Sequence, residues 1–255
     1  MKKTFVVIFL LSVIYNSAYA QISPLFGTPR SPTHHGWIIG ANADWDIPAA
    51  DMAKRFGTSY RIGPSVLYKT NSNWMFGAKV DFIAGNIITQ DSLLFNIGDT
   101  HGALLNSTGT EKGIGIYERG YMIGLSLGRI WNISRKNGDN GILFMTTAGF
   151  IQHKIQLYAK DDDLPQIRGD YAKGYDRLTN GAFIEQFIGY NCFSRDAFVN
   201  FHIGFDIMIA ATQGRRDFLF DVMRPDNAKR TDILFGIRGG WYIPIFKRKS
   251  EETFF

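Results

Sequence analysis

The stretch Phe198-Val-Asn-Phe-His-Ile-Gly-Phe-Asp-Ile-Met-Ile209 decides the fold. Val199, Phe201, Ile203, Phe205, Ile207 and Ile209 fall on one parity, and Asn200, His202, Gly204 and Asp206 on the other. Side chains of a strand alternate between its two faces, so this segment reads as one apolar row backed by one polar row. A helix would scatter the same residues around its axis. The length is that of a strand crossing a bilayer, about ten residues.

Working outward, the same alternation recurs. Trp37, Ile39, Ala41, Ala43 and Trp45 interleave with Gly40, Asn42 and Asp44. Tyr60, Ile62, Pro64, Val66 and Tyr68 interleave with Arg61, Gly63, Ser65 and Lys69. Trp74 to Phe82, Tyr121 to Leu127 and Ile233 to Ile243 repeat the pattern. In residues 142–157 and 182–192 both parities carry apolar residues, so these two strands fit less well. The count is about eight strands, with ten left open because the link at 87–116 has room for another hairpin.

The links alternate in length. Residues 47–58, 87–116, 159–179 and 212–229 are long; residues 70–73, 132–140 and 194–197 are short. Short turns on one side and long loops on the other are the habit of outer-membrane barrels, and they predict an even strand number with both termini periplasmic. Under that topology Trp37, Tyr68, Trp74, Trp131, Tyr190 and Trp241 mark one water–lipid interface, and Trp45, Tyr60, Tyr117 and Tyr121 the other. The predicted fold is all-β: a transmembrane antiparallel up-and-down β-barrel with long outer loops. Closure is required, because an open sheet edge in lipid leaves backbone groups unpaired.

The ends set the compartment. Lys2 and Lys3, an apolar run from Phe5 to Ile14, and Ala18-Tyr19-Ala20 read as a secretory signal peptide over residues 1–20. A Pro-punctuated periplasmic leader (21–35), a barrel (36–246) and a periplasmic tail (247–255) follow. The predicted location is a bacterial outer membrane. Removing Lys2 and Lys3 takes two from a formal charge of +5, and no basic cluster points to nucleic acid. Cys192, the single cysteine, excludes a disulfide framework or a zinc-finger spacing, and it reads as a small buried apolar residue.

The predicted lumen is charged. Asp44, Arg61, Lys79, Asp81, Glu118, Glu185, His202, Asp206, Asp232 and Arg238 fall on inward positions as a polar network. An eight-stranded barrel has room for side chains and little else, so these charges are expected to pair across the interior. His202, four residues before Asp206, is placed to meet Glu185 or Asp206. Asp161-Asp162-Asp163 in an outer loop reads as solvated. No nucleophile–base pair stands out, and no catalytic, cofactor-binding or metal-binding residue and no cofactor is assigned. The loop around Tyr171, Lys173, Tyr175, Asp176 and Arg177 suits partner recognition, or equally a fixed loop packed on its own barrel.

Lys173-Gly-Tyr-Asp-Arg-Leu-Thr-Asn-Gly181 and Arg238-Gly-Gly-Trp-Tyr-Ile-Pro-Ile245, together with the Ala-Tyr-Ala/Gln signal end, resemble small outer-membrane barrels of the Bacteroidota, among them PorT-like barrels associated with type IX secretion. The resemblance implies an accessory piece of a larger outer-membrane machine and carries over no catalytic or ligand residue. The expected function is a non-enzymatic scaffold or accessory subunit of an outer-membrane complex, with protein secretion as the first assignment. A small pore and a lipid-modifying enzyme using His202 or His153 are the alternatives. Expected partners are outer-membrane lipid, lipopolysaccharide and other outer-membrane or periplasmic proteins.

Overall fold

The computed structural model describes residues 33–90, 93–98, 103–134, 137–159, 164–194 and 199–246. The signal peptide, the leader up to residue 32, Asp161–Asp163 and the tail at 247–255 lie outside these. The strands are β1 (Gly36–Ala49), β2 (Ser59–Lys69), β3 (Trp74–Gly85), β4 (Leu104–Leu105), β5 (Glu111–Lys112), β6 (Ile114–Asn132), β7 (Gly141–Ala159), β8 (Thr179–Phe193), β9 (Asn200–Gly214), β10 (Arg216–Leu219), β11 (Arg224–Asp226) and β12 (Lys229–Phe246). Eight of them close a barrel in the order β1-β12-β9-β8-β7-β6-β3-β2. Each barrel strand pairs antiparallel with its sequence neighbour in the ring, and β12 returns to β1 from Gly36↔Phe246 to Ala49↔Ile233. The link at 87–116 does hold a hairpin, β4–β5, but it stands outside the ring, as β10–β11 does. The barrel therefore has eight strands, not ten.

Alternation fixes the register. On β1 the burial alternates strictly from Gly36 to Ile47, with Trp37, Ile39, Trp45 and Ile47 exposed and Asn42, Asp44 and Asp46 buried. Slipping any ladder by one residue would turn charged side chains outward and greasy ones into the lumen. Pro64 sits outward on β2; it and Gly63 pair with β1, but the β2–β3 ladder skips both, which suits a residue without a backbone N–H. In the short link before β3, Asn73 takes φ +64°, a conformation that Asn tolerates, and the Thr70 N–H donates to Trp74 O at 2.8 Å.

The molecule inverts the soluble plan. Its exterior is apolar around the whole ring, with Ile62, Phe82, Leu125, Ile188, Phe205, Phe235 and Ile243 all exposed, while Arg61, Asp81 and Glu185 are buried. Aromatic residues stand on the outer face near both ends: Trp37 meets Tyr68 edge-on at 5.3 Å at the short-turn end, and Trp45 lies opposite Tyr60 at the long-loop end. An exterior of this kind fits hydrocarbon and would be an aggregation hazard in water.

β7 and β8 explain their weaker sequence pattern. β7 turns Leu143, Met145, Ile151, Ile155 and Leu157 inward and Thr146, Gln152, Lys154 and Gln156 outward. Thr146 and Gln186, neighbours across the ladder on the outer wall, satisfy each other: the Thr146 hydroxyl donates to Gln186 Oε1 at 2.7 Å, and the Gln186 amide donates to Met145 O at 2.9 Å. Cys192 corrects a sequence expectation. It is on the outward parity of β8 and only half-buried, with the Asn140 amide 3.7 Å from its sulfur.

Candidate functional site

Ten inward residues were expected to form the polar network, and all ten are buried in the lumen. They do not form one network. Arg61 anchors the central layer: its Nε and Nη2 clamp both oxygens of Asp46 at 2.7 Å, its Nη1 donates to Glu185 Oε2 at 2.6 Å, and its Nη2 reaches Asp206 at 2.7 Å and Asp44 at 3.3 Å. Arg238 donates from Nε to Asp44 at 2.7 Å and from Nη1 to Glu185 at 2.8 Å. Lys79 bonds Glu185 at 2.7 Å and lies 2.7 Å from Asp81. Charges this deep are stable only when paired and hydrogen-bonded, and this layer supplies that with multidentate guanidinium contacts.

Asp46 lies outside the expected set because the sequence alternation reads as ending at Trp45, whereas β1 carries it one inward residue further. Asp44, Asp46 and Asp206 bring carboxylate oxygens within 4.8 Å of one another. Arg61 already occupies the space between them, so the trio is an arginine socket. Glycines make the room: a Cβ on Gly236 would stand 2.3 Å from Asp206 Oδ1 and 2.6 Å from Asp46 Oδ1.

A second polar layer lies toward the long loops. The helical turn Ala50–Ala53 after β1 carries the chain over the barrel mouth and drops Arg55 into it. Arg55 Nη2 donates to Asp232 at 2.5 Å and Nη1 to the Thr179 hydroxyl at 3.2 Å. Asp232 also accepts from Thr212 at 2.6 Å and contacts His153 Nε2 at 3.1 Å. Glu118 is fully buried opposite Gly85 in the same half of the barrel. His153 and Asp232 thus form a dyad, but both are wholly buried, and the Phe56 ring meets the His153 ring edge-on at 5.3 Å. Arg55 is absent from the sequence reading, and His153 enters it only as an alternative catalytic base and not as a lumen residue, for different reasons. Arg55 belongs to a loop, and His153 to the strand whose alternation was blurred.

His202 does not meet Glu185 or Asp206. Its ring stacks on Tyr242 at 4.6 Å and meets Phe187 edge-on at 5.5 Å. A Cβ on Gly240 would come 2.1 Å from His202 Cε1, so the imidazole fills the space above that glycine. It belongs to an aromatic layer with Ile38, Leu67, Met75, Ile130, Phe193 and Tyr242 that fills the short-turn half of the lumen. Below it Asp139 gathers the end of the molecule. Asp139 accepts from Lys69 Nζ at 2.6 Å and from the His34 backbone at 3.1 Å, and it contacts the His34 ring at 2.6 Å.

The outer loops cap the other end. Met52, Phe56, Leu93, Leu104, Leu164, Ile167 and Tyr175 pack onto Ile83, Met122, Ile151, Ile155, Phe183 and Met208 from the barrel. The expected partner loop divides. Tyr171 and Lys173 lie on an exposed helical turn (Gly169–Lys173), where Lys173 pairs with Asp170 at 2.6 Å. Tyr175, Asp176 and Arg177 are buried: Asp176 is clamped by Arg216 at 2.7 and 2.5 Å, and Arg177 is bound to Asp221. Those three are structural and are not free to meet a partner. Beyond the cap, apolar side chains remain exposed around Phe220, which touches Tyr171, Tyr175 and Phe218: Phe95 (82 %), Met223 (68 %) and Tyr171 (64 %) stand furthest out.

No protein-family model matches the chain, and no curated protein matches it. Among solved structures it is similar to Ail, the attachment invasion locus protein of Yersinia pestis, at 10 % identity and TM-score 0.44, over 82 % of this chain and 98 % of that one. It is also similar to Neisserial surface protein A, at 10 % identity and TM-score 0.39, over 80 % and 96 %. The N-terminal β-barrel domain of Pseudomonas aeruginosa OprF matches at 11 % identity and TM-score 0.38, over 83 % and 99 %.

Proposed function

We propose that the chain is an integral outer-membrane barrel, with both ends in the periplasm, that acts through its outer loops as a non-enzymatic scaffold or accessory subunit of a membrane complex. Type IX protein secretion is the first assignment, on the strength of the sequence resemblance alone. The observation that carries the reading is a lumen filled by aromatic, charged and apolar layers beneath loops that hold Phe95, Phe218 and Met223 out into water. Apolar side chains held out on a packed cap suit a docking surface better than a solvated loop. The filled lumen weighs against a pore, and the burial of His153 and Asp232 weighs against their use on a lipid substrate.

The test is purification of the intact protein from its own membranes in mild detergent. A stoichiometric companion is expected, and it should be lost when Phe95, Phe218 and Met223 are changed together to Ser. A partner-free monomer in repeated preparations would overturn the scaffold reading. Steady single-channel conductance in a planar bilayer would replace it with a pore, and altered lipid A in a deletion strain with an enzyme.

A further inference from the structure

The outer wall of the barrel sorts charge by sign. Among the described residues, the outward positions of the eight barrel strands carry four charged side chains, Arg119, Arg129, Lys154 and Lys229, all of them cations. Arg129 stands at the short-turn end, its guanidinium 5.4 Å from the centre of the Trp74 ring. Arg119 on β6 and Lys154 on β7 are direct cross-strand partners near the long-loop end. Like charges placed directly opposite destabilise a ladder. Among the described residues, no acidic side chain stands on the wall beside this pair: Glu118 points into the lumen, and Asp176, whose carbonyl accepts from the Ile155 N–H at 2.7 Å, has its carboxylate clamped by Arg216.

The surroundings of the pair are those of a headgroup. Directly below it lie Tyr121↔Gln152 and then Ile123↔Phe150, the upper margin of the apolar belt; above it lies Tyr117↔Gln156. With the rise of a β-strand and a barrel tilt of about 40°, Arg119 stands roughly 5 Å beyond Tyr121 along the barrel axis, next to the headgroup level that an aromatic girdle marks. Arg119 is held in place: its guanidinium lies 4.8 Å from the centre of the Tyr117 ring, and its Nη1 donates to Glu118 O at 2.7 Å. Lys154 is the mobile partner, with a flexible stem and a compact charge.

We propose that Arg119 and Lys154 bind a phosphate group of an outer-leaflet glycolipid, with Gln152 and Gln156 supplying amide donors and the acyl chains lying over Tyr121, Ile123 and Phe150. The inference rests on the reading of the chain as an outer-membrane barrel, and it adds to the expected lipid partner a site and the headgroup chemistry that the site takes.

The experiment uses the full mature chain in detergent, titrated with bisphosphorylated lipid A, with lipid A lacking both phosphates, and with inorganic phosphate, and read by native mass spectrometry. Wild type should hold the bisphosphorylated lipid at least about tenfold more tightly than the dephosphorylated one, the scale expected of two charge-assisted contacts. The R119Q/K154Q double variant should lose that preference, while R119K/K154R and the distant K229Q should keep it. No preference in wild type, or a preference that survives R119Q/K154Q, would overturn the site. Inorganic phosphate that competes as well as the lipid would make it a free-anion site and overturn the headgroup assignment. Flotation with liposomes is measured on the same preparations. Failure to float sinks the membrane reading itself, whereas a chain that floats without phosphate preference sinks only this inference.

Discussion

Arg61 and Glu185 meet at 2.6 Å from strands on opposite sides of the ring. β2 and β8 are four places apart in a circle of eight, so this ion pair is a strut across the diameter. Backbone ladders close the wall, and the strut fixes the cross-section. Arg61 to Asp206 on β9 and Lys79 on β3 to Glu185 brace it along neighbouring chords.

Replacing Arg61 with Met should therefore cost far more than a surface change. It strands Asp46, which pairs with Arg61 alone among the described residues, and takes one cation from each of Glu185, Asp206 and Asp44, which keep Arg238; breaking a buried ion pair from one side costs about 3–5 kcal/mol. Urea unfolding in lipid vesicles, followed by the heat-modifiable gel shift, reads this directly. Arg61→Lys, which keeps the charge but not the fork, should fall between the two.

Two nearby glycines on β12 should behave differently. Gly236→Ala puts a methyl group against Asp206 and Asp46 and should destabilise by about 1–3 kcal/mol, the range for overpacking. Gly239 faces outward with open space where a Cβ would stand, so Gly239→Ala should be neutral. Equal effects in the same unfolding assay would mean that the central layer yields more easily than its geometry implies.

The loop that sequence left undecided divides within five residues. Tyr175→Ala should destabilise by about 3 kcal/mol, the scale of a buried aromatic truncation, because the ring packs against Phe220 at 5.5 Å. Tyr171→Ala should leave unfolding unchanged while weakening capture of a partner. A Tyr171 variant that unfolds early would remove the basis for treating that residue as a contact surface.

Asp51 gives the cap a pH dependence of known sign. Its carboxylate accepts from Lys54 Nζ at 2.8 Å and from the Thr231 N–H at 2.9 Å, and these bonds hold it below the ordinary carboxylate value. A folded value below the unfolded one means that the contribution is present above the unfolded value and is lost as pH falls through the folded one. Protection of the Thr231 amide against hydrogen exchange, relative to its intrinsic rate, should fall below about pH 4, near the unfolded value for Asp. Asp51→Asn should abolish the step.

Much of the fold was legible because membrane strands separate two kinds of residue by parity alone. β1, β2, β3, β9 and β12 read correctly, and all ten lumen residues fell on the inward side. Parity gives direction but not height or azimuth. It could not separate Arg61 and Glu185, which meet, from His202 and Glu185, which do not. It weakened on β7, where inward Ile151 and Ile155 meet a packed cap and outward Gln152 and Lys154 stand above the apolar belt. Arg55 was out of reach of any periodicity, since its position follows from the path of the chain over the barrel mouth.

The diametric strut has a mechanical consequence. A cylinder braced from wall to wall resists ovalisation, so a push on the loops around Phe220 would tilt or turn the whole body before it deformed the ring. Whatever the loops feel on one side of the membrane would then reach the His34–Asp139 end as a change of orientation, delivered without any passage through the middle.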